Sequence, residues 1–230
     1  MYDEFAVKGH TGGRDASSGY GGPAIQALLT MAAFSDASNV LDYGCGQGKL
    51  AELVLGDEPH ICWRGVDQSP LMVQRSREKL ERFGPRVQLE LLQHGEPSAV
   101  AVAAGSVDRF VSTYCLDLLS ERDMYAVINK AQESLHPQRG LLLLAGITWG
   151  YRDSIRTFFM TLLWEILYRF RRRAVGGCRP QNLGPYLRAL GWTDIRVVRT
   201  MPRGFPWMVS EVIAARPPSR ATPLLDPTAS

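Results

Sequence analysis

The stretch Val40-Leu41-Asp42-Tyr43-Gly44-Cys45-Gly46-Gln47-Gly48 decides how the rest of the chain is read. Apolar residues run into an acid, glycines alternate, and Lys49-Leu50-Ala51-Glu52-Leu53-Val54-Leu55 follows with helical apolar spacing. A buried strand that stops, turns sharply over a ligand and opens a helix has this pattern. Glycine is needed where a side chain would hold the backbone away from a cofactor, or where φ must be positive. The N-terminus of the following helix offers free N–H groups to a polar or anionic group. The spacing is G-x-G-x-G, not the G-x-G-x-x-G of dinucleotide sites, and no G-x-x-x-x-G-K-[ST] phosphate loop occurs. Outward from the loop, Asp67 closes the apolar segment Ile61-Cys62-Trp63-Arg64-Gly65-Val66. An acid roughly 20 residues past the glycines, at the tip of the second strand, is where ribose hydroxyls are bound. A glycine-rich turn without a ligand is the plainer alternative.

A chain of 230 residues with 45% apolar content predicts one globular domain with a full core. The net charge of +3 is mild, and much of the positive charge sits in Arg169-Phe170-Arg171-Arg172-Arg173. A local cluster of that kind argues against nucleic acid as a partner. Cys45, Cys62, Cys115 and Cys178 are scattered without metal-ligand spacing, so a reducing compartment is expected. The polar start Met1-Tyr2-Asp3-Glu4 is unlike a signal peptide. No window reaches the ~18 consecutive apolar residues of a membrane span. A soluble, cytoplasmic protein without a metal centre follows as the expectation.

Residues 1–22 are rich in glycine and short polar side chains, and carry Tyr2, His10, Arg14 and Tyr20. They read either as a flexible leader or as a segment that folds over the site. Pro23 suits the first turn of a helix through Leu29. Strands and helices then alternate: a strand to Val66, a helix from Pro70 capped by Ser69, an alternating strand over 86–92 nearer a sheet edge, and a strand over 107–113. A helix over 121–135 and the unbroken apolar strand 140–145 follow, then a helix at 182–190 and strands at 194–199 and 208–215. Repeated βα units of this kind predict a parallel sheet covered on both faces. The proline-rich residues 217–230 read as a disordered tail.

The segment Asp153 to Arg173 stands apart, because it is apolar almost all round. Its polar positions Asp153, Thr157, Thr161, Glu165 and Arg169 fall four apart, in one narrow stripe. A helix with so little polar face is expected to be buried on most sides. A helix packed on its own domain, a lid over a lipophilic substrate, a dimer interface and a peripheral membrane contact all remain open, with the lid preferred among the functional readings.

The glycine stretch with its matching acid resembles motif I of the class I S-adenosylmethionine (SAM) dependent methyltransferases. Residues 40–145 are similar to the small-molecule branch that includes the C-methyltransferases of ubiquinone and menaquinone biosynthesis. The run from Leu163 through Gly177-Cys178 to Gly191-Trp192 more loosely resembles alkyl thiol methyltransferases. The resemblance implies a doubly wound, Rossmann-like α/β fold, with a mostly parallel seven-stranded sheet whose last strand is antiparallel, and a helical lid insertion at about 150–176. It implies a capping segment at 1–36, a SAM-binding domain at 37–216, and SAM as cofactor with S-adenosylhomocysteine as product.

Residue by residue, the resemblance puts Gly44, Gly46 and Gly48 along the methionine part of SAM, with Cys45 contributing backbone. It puts Asp42 near the ammonium, Asp67 on the ribose, and Gln68 and Met72 beside the adenine. His94, followed by Gly95, stands where many relatives have an acid that bonds the adenine amino group; an exposed loop histidine is the alternative. Thr113 ends the fourth strand, on the cofactor side. Asp117, shortly after it, is the best candidate for orienting or deprotonating the acceptor, with Tyr20 and His10 of the leader as further catalytic candidates. Asp117 could equally cap the helix that starts near Ser120. Methyl transfer from a sulfonium mainly needs alignment and exclusion of water, so no triad is required. The expected acceptor is a small, lipophilic molecule offering carbon, oxygen or sulfur, bound by a monomer or homodimer. The tetrapeptide Thr113-Tyr114-Cys115-Leu116 is unlike the N-P-P-Y type, which disfavours methylation of adenine or of glutamine amides. A non-catalytic SAM-binding partner, or a protein or RNA methyltransferase, are the rival readings.

Overall fold

The computed structural model describes residues 22–92, 100–149, 154–171, 175, 177–201 and 208–218. His10, Tyr20, His94 and Gly95, with the leader and the tail from 219 onward, lie outside the described residues. The chain opens with α1 (Gly22–Ala32), which has Pro23 in its first turn. The elements β1 (Asn39–Tyr43), α2 (Lys49–Asp57), β2 (Cys62–Asp67), α3 (Pro70–Leu80) and β3 (Val87–Leu91) follow. Beyond them come β4 (Arg109–Thr113), α4 (Glu121–Ser134), β5 (Leu141–Thr148), α5 (Ile155–Arg171), α6 (Leu183–Ala189), β6 (Thr193–Thr200) and β7 (Val209–Arg216).

The described strands form one seven-stranded sheet in the order β3-β2-β1-β4-β5-β7-β6. β7 runs antiparallel to both of its neighbours, and every other pairing is parallel. The alternating β3 lies at an edge, and the continuous apolar run of β5 lies inside the sheet, buried on both faces. Strand order reverses between β1 and β4, which opens a crevice beyond their carboxyl ends.

Each face of the sheet has its own apolar layer. Leu28, Val54, Trp63 and Leu143 belong to one, with α1 and α2 packed on it. Phe110, Ile128, Leu142 and Leu187 belong to the other, under α4 and α6. The helix starts follow the sequence: Ser69 accepts from Met72 N at 3.2 Å with Pro70 next, and Ser120 accepts from Asp123 N at 3.1 Å. α1 ends at Ala33, whose φ is 45°, and its last carbonyls are taken by arginines from the sheet. Arg109 Nε donates to Ala32 O at 2.5 Å, its Nη2 to Ala33 O at 2.6 Å, and Arg196 Nη2 to Met31 O at 3.2 Å.

The apolar helix departs from expectation. α5 is not buried on most sides: Ile155, Phe158, Phe159, Leu162, Leu163, Ile166 and Phe170 are all exposed. Of the narrow polar stripe, Thr157 and Thr161 pack inward as the buried residues of the helix and Glu165 is half-buried, while Arg169 is exposed and Asp153 lies outside the described residues. Threonine can be buried here at little cost because the helix backbone satisfies its hydroxyl. Thr157 Oγ1 donates to Ser154 O at 3.0 Å and Thr161 Oγ1 to Thr157 O at 2.7 Å. Among the described residues, no helix is long and apolar enough to cross a membrane.

Candidate cofactor and acceptor site

The glycine loop is held over the end of β2. Gly44 N and Cys45 N both donate to Val66 O, at 2.8 and 3.0 Å, and Gly48 N closes the turn onto Cys45 O at 3.0 Å. Gly44, Gly46 and Gly48 have φ of 77°, 53° and 73°, a region that side-chain-bearing residues seldom enter. Their surroundings differ. A Cβ on Gly44 would overlap the Cys115 side chain across the crevice, and one on Gly48 would lie 2.9 Å from Leu80 Cδ1. A Cβ on Gly46 would meet nothing within 4 Å, so this is the face of the loop open to a ligand.

Asp67 joins the loop to the second strand. Its Oδ2 accepts from Gly46 N at 2.8 Å and its Oδ1 from Ser69 N at 2.9 Å. These two bonds orient the Asp67 carboxylate between the loop and the start of α3. Gln68 beside it is exposed, while Met72 is packed inside. Gly65, which the sequence reading did not single out, lets this corner close: a Cβ there would lie 2.8 Å from Leu89 and 3.0 Å from Cys45 Sγ.

Asp42, at the end of β1, is fully enclosed. Burial, and then the charge of Asp67, push its carboxyl up to about 8, and its Oδ1 has no hydrogen-bond partner. Burial likewise holds the Cys45 and Cys115 thiols above their ordinary range, so neither is a poised nucleophile.

Beyond β4, Thr113 is half-buried and Tyr114 turns the chain at φ 51°. Asp117 sits in the short turn Leu116–Leu118. It does not cap α4, since Ser120 fills that role; its Oδ2 accepts from Ile147 N at 3.4 Å and its Oδ1 has no partner. Burial raises its carboxyl to about 6, the Ile147 amide acting weakly in the other direction. A small cavity brings Asp117 together with Gly146, Ile147, Gln181 and Glu211, a grouping that spans four segments and was not legible in the sequence. Glu211 is opposite Gly146 in the β5–β7 register, and a Cβ on Gly146 would lie 3.8 Å from Asp117 Cγ, in ordinary contact. Arg199 Nε donates to Glu211 Oε2 at 3.1 Å, while Glu211 Oε1 and Gln181 Nε2 have no partner. Tyr114 Oη and Ser210 Oγ, 3.0 Å apart, tie the β4 turn to β7.

Residues 40–138 match the family model described as a methyltransferase domain. Over that span the chain is similar to methyltransferase domains. Its β1–β4 crevice, glycine loop and Asp67 all fall within or beside the matched span. The chain is 27% identical over 138 residues to the carboxy-S-adenosyl-L-methionine synthase of Cronobacter sakazakii, covering 59% of this chain and 53% of that protein. It thus spans about half the length of the curated relatives it matches. In fold, the chain is similar to phosphoethanolamine N-methyltransferase 2 of Haemonchus contortus, with a TM-score of 0.69 and 16% identity over 95% of this chain and 58% of that one. It is also similar to an O-methyltransferase family protein of Burkholderia thailandensis, with a TM-score of 0.63 and 18% identity over 90% of this chain and 59% of that one.

Proposed function

We propose that this chain binds SAM across the β1–β4 crevice and transfers its methyl group to a small, lipophilic acceptor. The observation that carries this reading is the joining of Asp67 to Gly46 N at 2.8 Å, next to a loop whose open side has room for a ligand. The ribose hydroxyls donate to Asp67. The ammonium lies toward Asp42, whose unpartnered Oδ1 and raised carboxyl suit a group that ionises when a cation arrives. Gln68 lies beside the adenine and Met72, packed behind it, backs that corner; His94 and Gly95 are proposed for the adenine amino group, and Thr113 for the cofactor side of the crevice.

When bound, SAM supplies a methyl carbon already activated by its sulfonium. The protein then has to align the acceptor atom and exclude water. Asp117 is suited to hold a hydroxyl or thiol and take its proton, because its carboxyl is close enough to neutrality to act as a base. Tyr20 and His10 are proposed to close the acceptor side. The residues around Asp117 are mainly apolar (Leu116, Ala145, Ile147, Leu183), in keeping with a lipophilic acceptor.

A calorimetric titration with SAM, followed by product mass analysis with thiols, phenols and quinols, tests the proposal. Binding and a methylated product are expected. Asp67→Ala should weaken SAM affinity on the order of 100-fold, the loss of hydrogen bonds to a charged group. Asp117→Asn should lower kcat with SAM affinity kept. Binding without turnover would favour a non-catalytic SAM-binding protein. A carboxylated cofactor as product would favour the reaction named for the carboxy-SAM synthase relatives. Absence of SAM binding would overturn the reading.

A further inference from the structure

The outward face of α5 is apolar and framed by cations. At 3.6 residues per turn, Ile155, Phe159, Leu162, Ile166 and Phe170 fall on one side, opposite the inward Thr157 and Thr161. Ile155 is 75% exposed, Phe159 61% and Phe170 77%. Contiguous apolar patches of this kind on a protein surface mark a place where something docks. The same helical spacing puts Arg156 on one flank of the face and Arg169 on the other, with Arg171 at the C-terminal end, and all three are exposed. Glu165, the one acid of the helix, lies toward the inner side and is half-buried.

We infer that this face of α5 docks on an anionic lipid bilayer, lying flat in the interface. The rings and aliphatic chains of the central stripe enter the boundary of the acyl region, and the arginines on both flanks reach back to anionic headgroups along their apolar stems. Charge selects this occupant over a second copy of the chain. Two copies of this face would bring together Arg156, Arg169 and Arg171 of each, with no carboxylate on either face to offset them. A bilayer containing anionic lipid supplies the counter-charge on both flanks at once. α5 is also joined to the turn that holds Asp117. Trp164 Nε1 donates to Cys178 O at 3.0 Å, and the same segment continues to Arg179, whose N–H donates to Asp117 O at 2.9 Å. The inference stands on the surface of α5 and does not depend on methyl transfer.

Co-sedimentation of the full chain with vesicles tests it, comparing phosphatidylcholine alone with phosphatidylcholine mixed with phosphatidylglycerol. Binding to the mixed vesicles only, weakening as salt is raised, is expected. The double variant Arg156→Gln/Arg169→Gln should bind about 25-fold more weakly, from about fivefold per basic residue at the surface. Phe159→Ser/Ile166→Ser should abolish binding and leave the thermal melt unchanged, since both side chains point away from the protein. Wild-type protein remaining in the supernatant with mixed vesicles would overturn the inference. So would equal sedimentation of wild type and Phe159→Ser/Ile166→Ser. A dimer in sedimentation velocity that the serine variant dissociates, with no vesicle binding by wild type, would make the face a subunit interface instead.

Discussion

Gly44 and Gly46 are equivalent in the sequence pattern, and their surroundings make them different. Both have positive φ, so an alanine at either carries a backbone penalty of about 1–2 kcal/mol. At Gly44 the added methyl also meets Cys115, whereas at Gly46 it meets open space. Gly44→Ala should therefore destabilise the fold by clearly more than the backbone term, read in a urea denaturation curve. Gly46→Ala should cost only that term, yet weaken SAM affinity at least tenfold if the cofactor lies against the loop. Equal effects of the two on both measurements would remove the distinction. At the residue scale Asp42, the glycines and Asp67 could be grouped from the sequence because they are close along the chain and lie at the ends of neighbouring strands.

At the scale of elements, α1 shows how a helix end is tied to the sheet from far away in the chain. The carbonyls at its C-terminus have no partners within the helix. Arg109, at the start of β4, supplies two of the missing donors, and its Nη1 also donates to Asp108 O at 2.9 Å. Asp108 is fixed in turn: burial alone would raise its carboxyl, but Arg139 at 2.6 Å and the Ser38 and Asn39 amides outweigh burial and lower it. Arg109→Met keeps the apolar stem and removes these bonds, so a loss of about 3 kcal/mol in unfolding free energy is expected. Because β4 starts at the opposite end of the sheet from the glycine loop, the folded variant should keep its cofactor affinity. Unchanged denaturation midpoints would show that water replaces the guanidinium without loss. α5 teaches a different lesson about elements. Its periodicity tells which residues avoid water, but not whether the protein or something outside it covers them.

For the molecule as a whole, two buried carboxyls set a pH dependence of stability. Asp117 is raised to about 6 and Asp42 to about 8, both above the usual carboxylate value. The folded state then holds more protons than the unfolded chain between pH ~4 and these values, so stability falls as pH rises through that window. Asp117 contributes about 3 kcal/mol to this loss, complete once pH exceeds 6, and Asp42 extends it to about pH 8. The melting temperature of the ligand-free protein should drop between pH 5 and 8, and Asp42→Asn should flatten the drop. A flat profile for the wild type would show that both carboxyls are solvated. The sequence by itself determined the order of the βα units, the strand–glycine–helix turn at 40–48 and the acid at Asp67. These are local patterns of period, capping and backbone freedom, and they act on the chain wherever it lies. Only the tertiary structure decided that Asp117, Gln181 and Glu211 share one cavity, because strand pairing brings together groups far apart in the chain. It alone decided that α5 turns its threonines inward and its phenylalanines outward. Buried hydroxyls bonded to their own helix carry little penalty, so hydrophobicity along the chain did not dictate which side of that helix faces the core.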